Sequence, residues 1–231
     1  MSSYWRFSRS SYYSVVAALP LLVAYEIMVI VTQTRYWSIR NAADIWIRTF
    51  LMAFDLKAEH LTYVMIGIFF ALIPFAKYYS TGVRIKLNYF VLMLAEAFVY
   101  SLFLGGILQL ILHVSGLSSS GSGNGSLQNI ALSLGAGLFE EIFFRVLLLN
   151  LLLILLKPFL KNRISTAIVS VLAASLLFSI SHYTGTMGDQ WQLYSFMFRW
   201  AAGLLFTVLY FIRGFAITAY THSLYDIWVL V

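Results

Sequence analysis

The sequence predicts an all-α protein, a polytopic bundle of about seven membrane-spanning helices with one further interfacial or short helix. Three observations carry that expectation. Of the 231 residues, 61% are hydrophobic and 10% charged, against roughly 45–50% and 25% in an average soluble domain. The mean hydropathy is +0.85. Apolar runs recur at the ~20 residues that a bilayer core requires, with most basic residues gathered between them. Lipid offers the backbone no hydrogen-bond partner, so the runs must be helical.

Seven runs meet that length, at about 12–33, 60–78, 88–114, 127–156, 164–183, 190–211 and 214–231. Between the first two, residues 42–56 are apolar but interrupted by Asp44, Arg48 and Asp55. These fall at i, i+4 and i+11, one helical stripe, which predicts an interfacial helix rather than an eighth span. Residues 115–126, between the third and fourth runs, are a flexible Gly/Ser loop. No internal repeat is visible, so residues 1–231 read as a single integral-membrane domain, its chemistry concentrated in 127–231.

The net charge of +6 does not indicate nucleic acid, because the basic residues lie between apolar segments rather than on one face. Arg6 and Arg9 precede the first run; Lys77, Arg84 and Lys86 follow the second. Lys157, Lys161 and Arg163 follow the fourth and Arg213 the sixth, while the alternate connections carry none. The exception is the first loop, with Arg35, Arg40, Arg48 and Lys57. The pattern predicts a cytoplasmic N-terminus in a multi-pass protein and contact with anionic lipid. The first run lacks a small-x-small cleavage site and reads as an uncleaved span. There is no cysteine, which excludes disulfides, thiol catalysis and Cys-ligated metals.

The chemistry lies in charges set within these apolar runs. Each such charge costs at least ~2.5 kcal/mol near the bilayer centre, which makes it a candidate functional group. Glu140 and Glu141 are adjacent in the fourth run, with Arg145 four residues beyond Glu141. That spacing lets Arg145 pair with Glu141. In an α-helix Glu140 is rotated ~100° from Glu141 and is expected to point at a different target, as a free base. His182 follows Phe178 by four residues at the end of the fifth run, and His222 and Asp226 lie one turn apart in the last. Three runs thus hold two of the four histidines and three of the nine acids. A buried ion network holding helices together is the alternative reading. If the groups converge, two mechanisms fit. Glu140 and His182 activate a water while His222 and its neighbour stabilise an oxyanion; or His182, His222 and a carboxylate, Asp226 or Glu140, ligate a divalent cation such as zinc. No His-Glu-x-x-His motif is present. Glu26, Glu96 and Arg199 also fall within runs, as additions to a polar cavity or as partners for one another.

Glu140-Glu141-x-x-x-Arg145, Phe178-x-x-x-His182 and His222-x-x-x-Asp226, in that order on successive helices, resemble the CPBP (Abi) family of intramembrane peptidases. That family includes the CAAX prenyl endopeptidases and bacterial relatives tied to bacteriocin immunity and protein sorting. The likeness covers about Leu134 to the C-terminus. It implies a membrane hydrolase cleaving a lipidated or membrane-anchored protein or peptide near its terminus, resident in a prokaryotic cell membrane. It also implies Glu140 as catalytic base, Glu141 and Arg145 in support, His182 on the attacking water, and His222 with residue 226 at the oxyanion. The prenyl-endopeptidase pattern ends in Asn, whereas this chain has Asp226, which shifts the role of that position. The resemblance leaves the cofactor as none or a divalent cation. Two other functions use the same groups: an ion-coupled transporter, for which repeats are missing, and a non-catalytic immunity or partner protein. The charge pattern places Glu140 and His222 each ~18 Å from the outer end of its helix and His182 near the outer surface, predicting a cavity that opens outwards.

Overall fold

The computed structural model describes residues 3–33, 40–114, 127–160, 162–185 and 188–231. The Gly/Ser segment 115–126 and the basic residues Arg35 and Lys161 lie outside them. Among the described residues every regular element is helical, as expected. In chain order these are α1 (Ser3–Ser8), α2 (Ser11–Thr32), α3 (Ala42–Met52), a 3₁₀ turn (Ala58–His60), α4 (Leu61–Tyr79) and α5 (Leu87–Val114). There follow α6 (Leu127–Gly135), a π-helix (Ala136–Leu148), α7 (Leu149–Leu156), α8 (Arg163–Ser181), α9 (Leu193–Arg213) and α10 (Phe215–Leu230).

Among the described residues, five helices are long and apolar enough to cross a membrane: Ser11–Thr32, Ala58–Tyr79, Leu87–Leu108, Arg163–Ser181 and Leu193–Arg213. They correspond to five of the seven expected runs. The fourth run, residues 127–156, changes helix type twice, and the seventh, α10, has 16 residues. Exposed Leu, Ile, Val and Phe side chains cover the outer faces of these rods, as a lipid solvent demands. Pro20 and Pro74 sit inside α2 and α4, which membrane helices tolerate better than soluble ones.

The short helix expected between the first two runs is α3. Its charged stripe faces inward: Asp44 is fully buried and Arg48 nearly so. Asp55 is not on the stripe, because the helix ends at Met52 and Asp55 adopts a positive φ of 62° beyond it. Two acids and two bases neutralise one another here. Arg48 bonds Glu26 at 2.5 Å and Asp44 at 2.7 Å, and Arg40 reaches the same two acids at 3.0 and 2.9 Å. Burial opposes the Arg40 charge, but its hydrogen bonds to Glu26 and Asp44 outweigh that and raise its pKa above the ordinary guanidinium value. At the opposite end of α2, α1 docks onto the α9–α10 corner. There the buried Arg213 pairs with Glu96 and lies 3.8 Å over the Trp5 ring. Gly214 turns that corner at φ 81°, a left-handed conformation that glycine adopts freely. Glu96 and Glu26 therefore pair with Arg213 and with Arg40 and Arg48, not with Arg199, which is bound to Asp189.

Helix α10 packs against α2, α5, α6, the π-helix and α9, and nine of its residues are buried. Its approach to the π-helix depends on Gly137. A Cβ there would meet the Ser223 side chain and the Ala219 carbonyl, and would lie 2.7 Å from the Ser223 backbone nitrogen. Gly137→Ala therefore forces α10 outward, an overpacking that costs ~1–3 kcal/mol. The expected outcome is a lowered thermal unfolding midpoint in detergent; an unchanged midpoint contradicts this packing.

Candidate active site

The acidic pair lies in the π-helix. The Leu149 N–H bonds the Phe144 carbonyl, an i to i−5 contact of the wider turn. Adjacent residues of an α-helix are splayed by ~100°, and a wider turn brings them closer in direction. Residues 135–141 are all buried, as are Phe144 and Arg145. Both carboxylates point into the bundle, where Glu140 accepts from Asn41 and Glu141 accepts from His222. Such π segments recur at functional sites.

Arg145 and Glu141 form the pair that their spacing predicts, with Nη1 3.0 Å from Oε1. The guanidinium also donates through Nη2 to the Gly203 carbonyl at 3.3 Å and lies 4.7 Å over the Phe178 ring. Glu141 Oε1 is shared with His222, whose Nδ1 is 2.7 Å away. A carboxylate only accepts, so Nδ1 carries the hydrogen. His222 Nε2 then faces the other two acids, 3.5 Å from Asp226 Oδ2 and 4.0 Å from Glu140 Oε2. Phe206 stacks on the imidazole with centroids 4.3 Å apart. One residue thus collects Glu140, Glu141 and Asp226 around a single buried ring.

His182 enters from the end of α8, where it is the C-cap. Its Nδ1 lies 2.9 Å from the Phe178 carbonyl. A carbonyl only accepts, so Nδ1 donates and Nε2 is left as the acceptor. This explains the Phe178-x-x-x-His182 spacing: residue i−4 fixes the tautomer, and its ring packs on His182 at 5.0 Å and on His222 at 6.3 Å. Glu140 and His182 line a small cavity of about 40 Å³ with Ala42, Ala43, Trp46 and Ser181. A single water needs only ~10–15 Å³. Trp46 also lines a far larger apolar groove of about 890 Å³, which runs past Met65, Phe139 and Phe143 to Phe211 and Arg9.

Two contributors carried no signal in the sequence. Asn41 donates through Nδ2 to Glu140 Oε1 at 2.8 Å, across 99 positions of chain, and Phe206 is one of 19 phenylalanines. Asn41 is legible only as a helix cap. The metal set allowed by spacing is not formed: among the described residues, no three His, Asp or Glu side chains could hold an ion. His222 Nδ1 is taken by Glu141 and His182 Nδ1 by a carbonyl, which leaves Nε2 as the remaining ring nitrogen of each.

Residues 123–228 match the family model described as type II CAAX prenyl endopeptidase Rce1-like. Over that segment, just under half of the chain, the sequence is similar to that family. No curated protein and no solved structure matches it. The matched segment contains Glu140, Glu141, Arg145, His182, His222 and Asp226, and excludes Asn41. With five apolar helices of spanning length, it supports an integral-membrane protease of the CAAX type, a hydrolase of the CPBP family.

Removing one partner of a buried ion pair strands the other charge, at ~3–5 kcal/mol. Arg145→Ala is therefore expected to lower the unfolding midpoint far more than substitution of the exposed Lys57, both read on purified protein in detergent. Equal effects would contradict the burial of this pair.

Proposed function

We propose that the protein is an intramembrane endopeptidase that cleaves a prenylated or otherwise lipid-anchored protein near its C-terminus, using water activated by Glu140. The observation that carries this reading is the water-sized cavity shared by Glu140 and His182, with His222 Nε2 4.0 Å from the Glu140 carboxylate. A water there hydrogen-bonds His182 Nε2 and gives a proton to Glu140 as its oxygen attacks the scissile carbonyl carbon. The carbonyl π electrons move to oxygen, and the protonated ring of His222 donates from Nε2 to that oxyanion. Glu141 on Nδ1 and Asp226 beside Nε2 supply the countercharge. As the tetrahedral centre collapses, the C–N bond breaks and Glu140 returns its proton to the leaving amine. Arg145 acts through Glu141 as a positioning residue. Asp226, where the prenyl-endopeptidase pattern has Asn, serves the imidazolium rather than donating to the oxyanion. The mechanism rests on side chains alone.

The substrate class follows from the family match and the apolar groove. Trp46 lines both groove and cavity, so a hydrocarbon chain in the groove reaches the reacting centre past one indole. Orientation follows from charge: we place the N-terminus in the cytoplasm and residues 1–231 in one domain. The end of the bundle bearing α3 and His182 then faces outwards, as a peptidase that sorts surface proteins requires.

Glu140→Gln keeps the shape of the side chain and removes the base. Loss of general base catalysis costs on the order of 10²–10⁴-fold. The expected result is that cleavage of a farnesylated, fluorogenic CAAX-type peptide falls by that factor in detergent micelles, with the unfolding midpoint retained. Retained cleavage refutes the assignment and favours a non-catalytic binding protein.

A further inference from the structure

Asn41 lies outside the segment that carries the family match, yet among the described residues it is the one neutral side chain that hydrogen-bonds Glu140. Its amide has no freedom to do otherwise. As N-cap of α3, its Oδ1 accepts from the Ala43 N–H at 2.9 Å. With the oxygen committed to the cap, the NH₂ group must face away from the helix, and Nδ2 meets Glu140 Oε1 at 2.8 Å. The backbone is fixed as well. Asn41 N–H donates to the Tyr25 hydroxyl at 3.2 Å, and that hydroxyl donates to Asp44 at 2.8 Å. Asp44 is held in turn by Arg40 and Arg48. Tyr25 and Asp44 are fully buried and Asn41 is 7% exposed. A Cβ on Gly135 would lie 2.6 Å from the Tyr25 ring and 2.8 Å from the Asn41 Cβ, so the π-helix approaches this corner only because residue 135 has no side chain.

We propose that Asn41 is a positioning residue for the reaction: its amide occupies Glu140 Oε1 and leaves Oε2 to take the proton from water. This rests on Glu140 being the base. Carboxylate torsions are broad and nearly two-fold, so an unheld Glu140 presents either oxygen over a range of angles. The charged groups around Glu140 are Arg145 and Glu141 from its own helix, His182 from α8, and His222 and Asp226 from α10. None of these bonds Oε1. The buried ion network of Glu26, Arg40, Asp44 and Arg48 gains a purpose in this view. It anchors the start of α3, and through Asn41 it reaches the reacting carboxylate.

The test separates capping from positioning. Ser and Thr both cap helices, and neither supplies an amide N–H to Glu140. Asn41→Ser and Asn41→Thr in the whole chain are therefore expected to keep the unfolding midpoint within a few degrees of the parent. On the farnesylated fluorogenic peptide, kcat should fall by on the order of 10- to 100-fold, the value of one hydrogen bond to a charged group, with KM unchanged. A second readout needs no turnover. Labelling of Glu140 by a hydrophobic carbodiimide, located by mass spectrometry, should rise several-fold in the Ser variant once the amide is withdrawn. If the parent does not cleave the peptide, the hydrolase reading fails and labelling alone decides the contact. An unchanged kcat in an active parent, or unchanged labelling with the fold intact, overturns the proposal. A lowered midpoint with unchanged kcat assigns Asn41 to capping only, which overturns it equally.

Discussion

Glu141 is fully buried between Arg145 Nη1 at 3.0 Å and His222 Nδ1 at 2.7 Å, both reaching the same oxygen. A carboxylate inside an apolar bundle persists only where its charge is matched. That requirement fixes the rest of the centre. The guanidinium that matches it is sandwiched against Phe178 and Phe206. The imidazole that it accepts from is turned so that Nε2, not Nδ1, faces Glu140 and Asp226. Three helices and the π segment are thereby indexed to one atom.

The same logic governs both ends of α2. Near its carboxyl-terminal end Glu26 and Asp44 absorb Arg40 and Arg48; at the other end Glu96 absorbs Arg213. Each cluster lies where a connecting segment folds against the spans, and each spares the lipid-facing surface from charge. Replacing such groups with apolar residues often leaves stability unharmed, so their value lies in specifying one arrangement. At the α3 cluster, the arrangement specified brings Asn41 to Glu140.

Much of the architecture was legible because a bilayer leaves few choices: apolar length gives the spans, and lipid forces the helix. The chemistry was legible in part, since charges in apolar runs are costly enough to announce themselves. The pairing of Arg145 with Glu141 follows from a four-residue spacing that both α and wider turns bring together. What the sequence could not convey was helix type. The π turn leaves no mark in composition, yet it is the segment that carries Glu140 and Glu141 into the bundle. The inward direction of the α3 stripe is hidden for a related reason. An amphipathic pattern states that two faces differ, not which one meets water, and the partners Glu26 and Arg40 lie on other segments. Asn41 and Phe206 were invisible because their roles depend entirely on tertiary contact.

The arrangement around Glu141 can be observed without any substrate. The chain has four histidines, so proton–nitrogen NMR of protein labelled at the imidazole nitrogens, with His222→Gln as the assignment control, isolates the ring of His222. The account predicts a far-downfield, slowly exchanging Nδ1 proton that shifts on Glu141→Gln and keeps its position on Glu140→Gln. A His222 ring whose Nδ1 proton exchanges freely with water, and which is indifferent to Glu141, would contradict it.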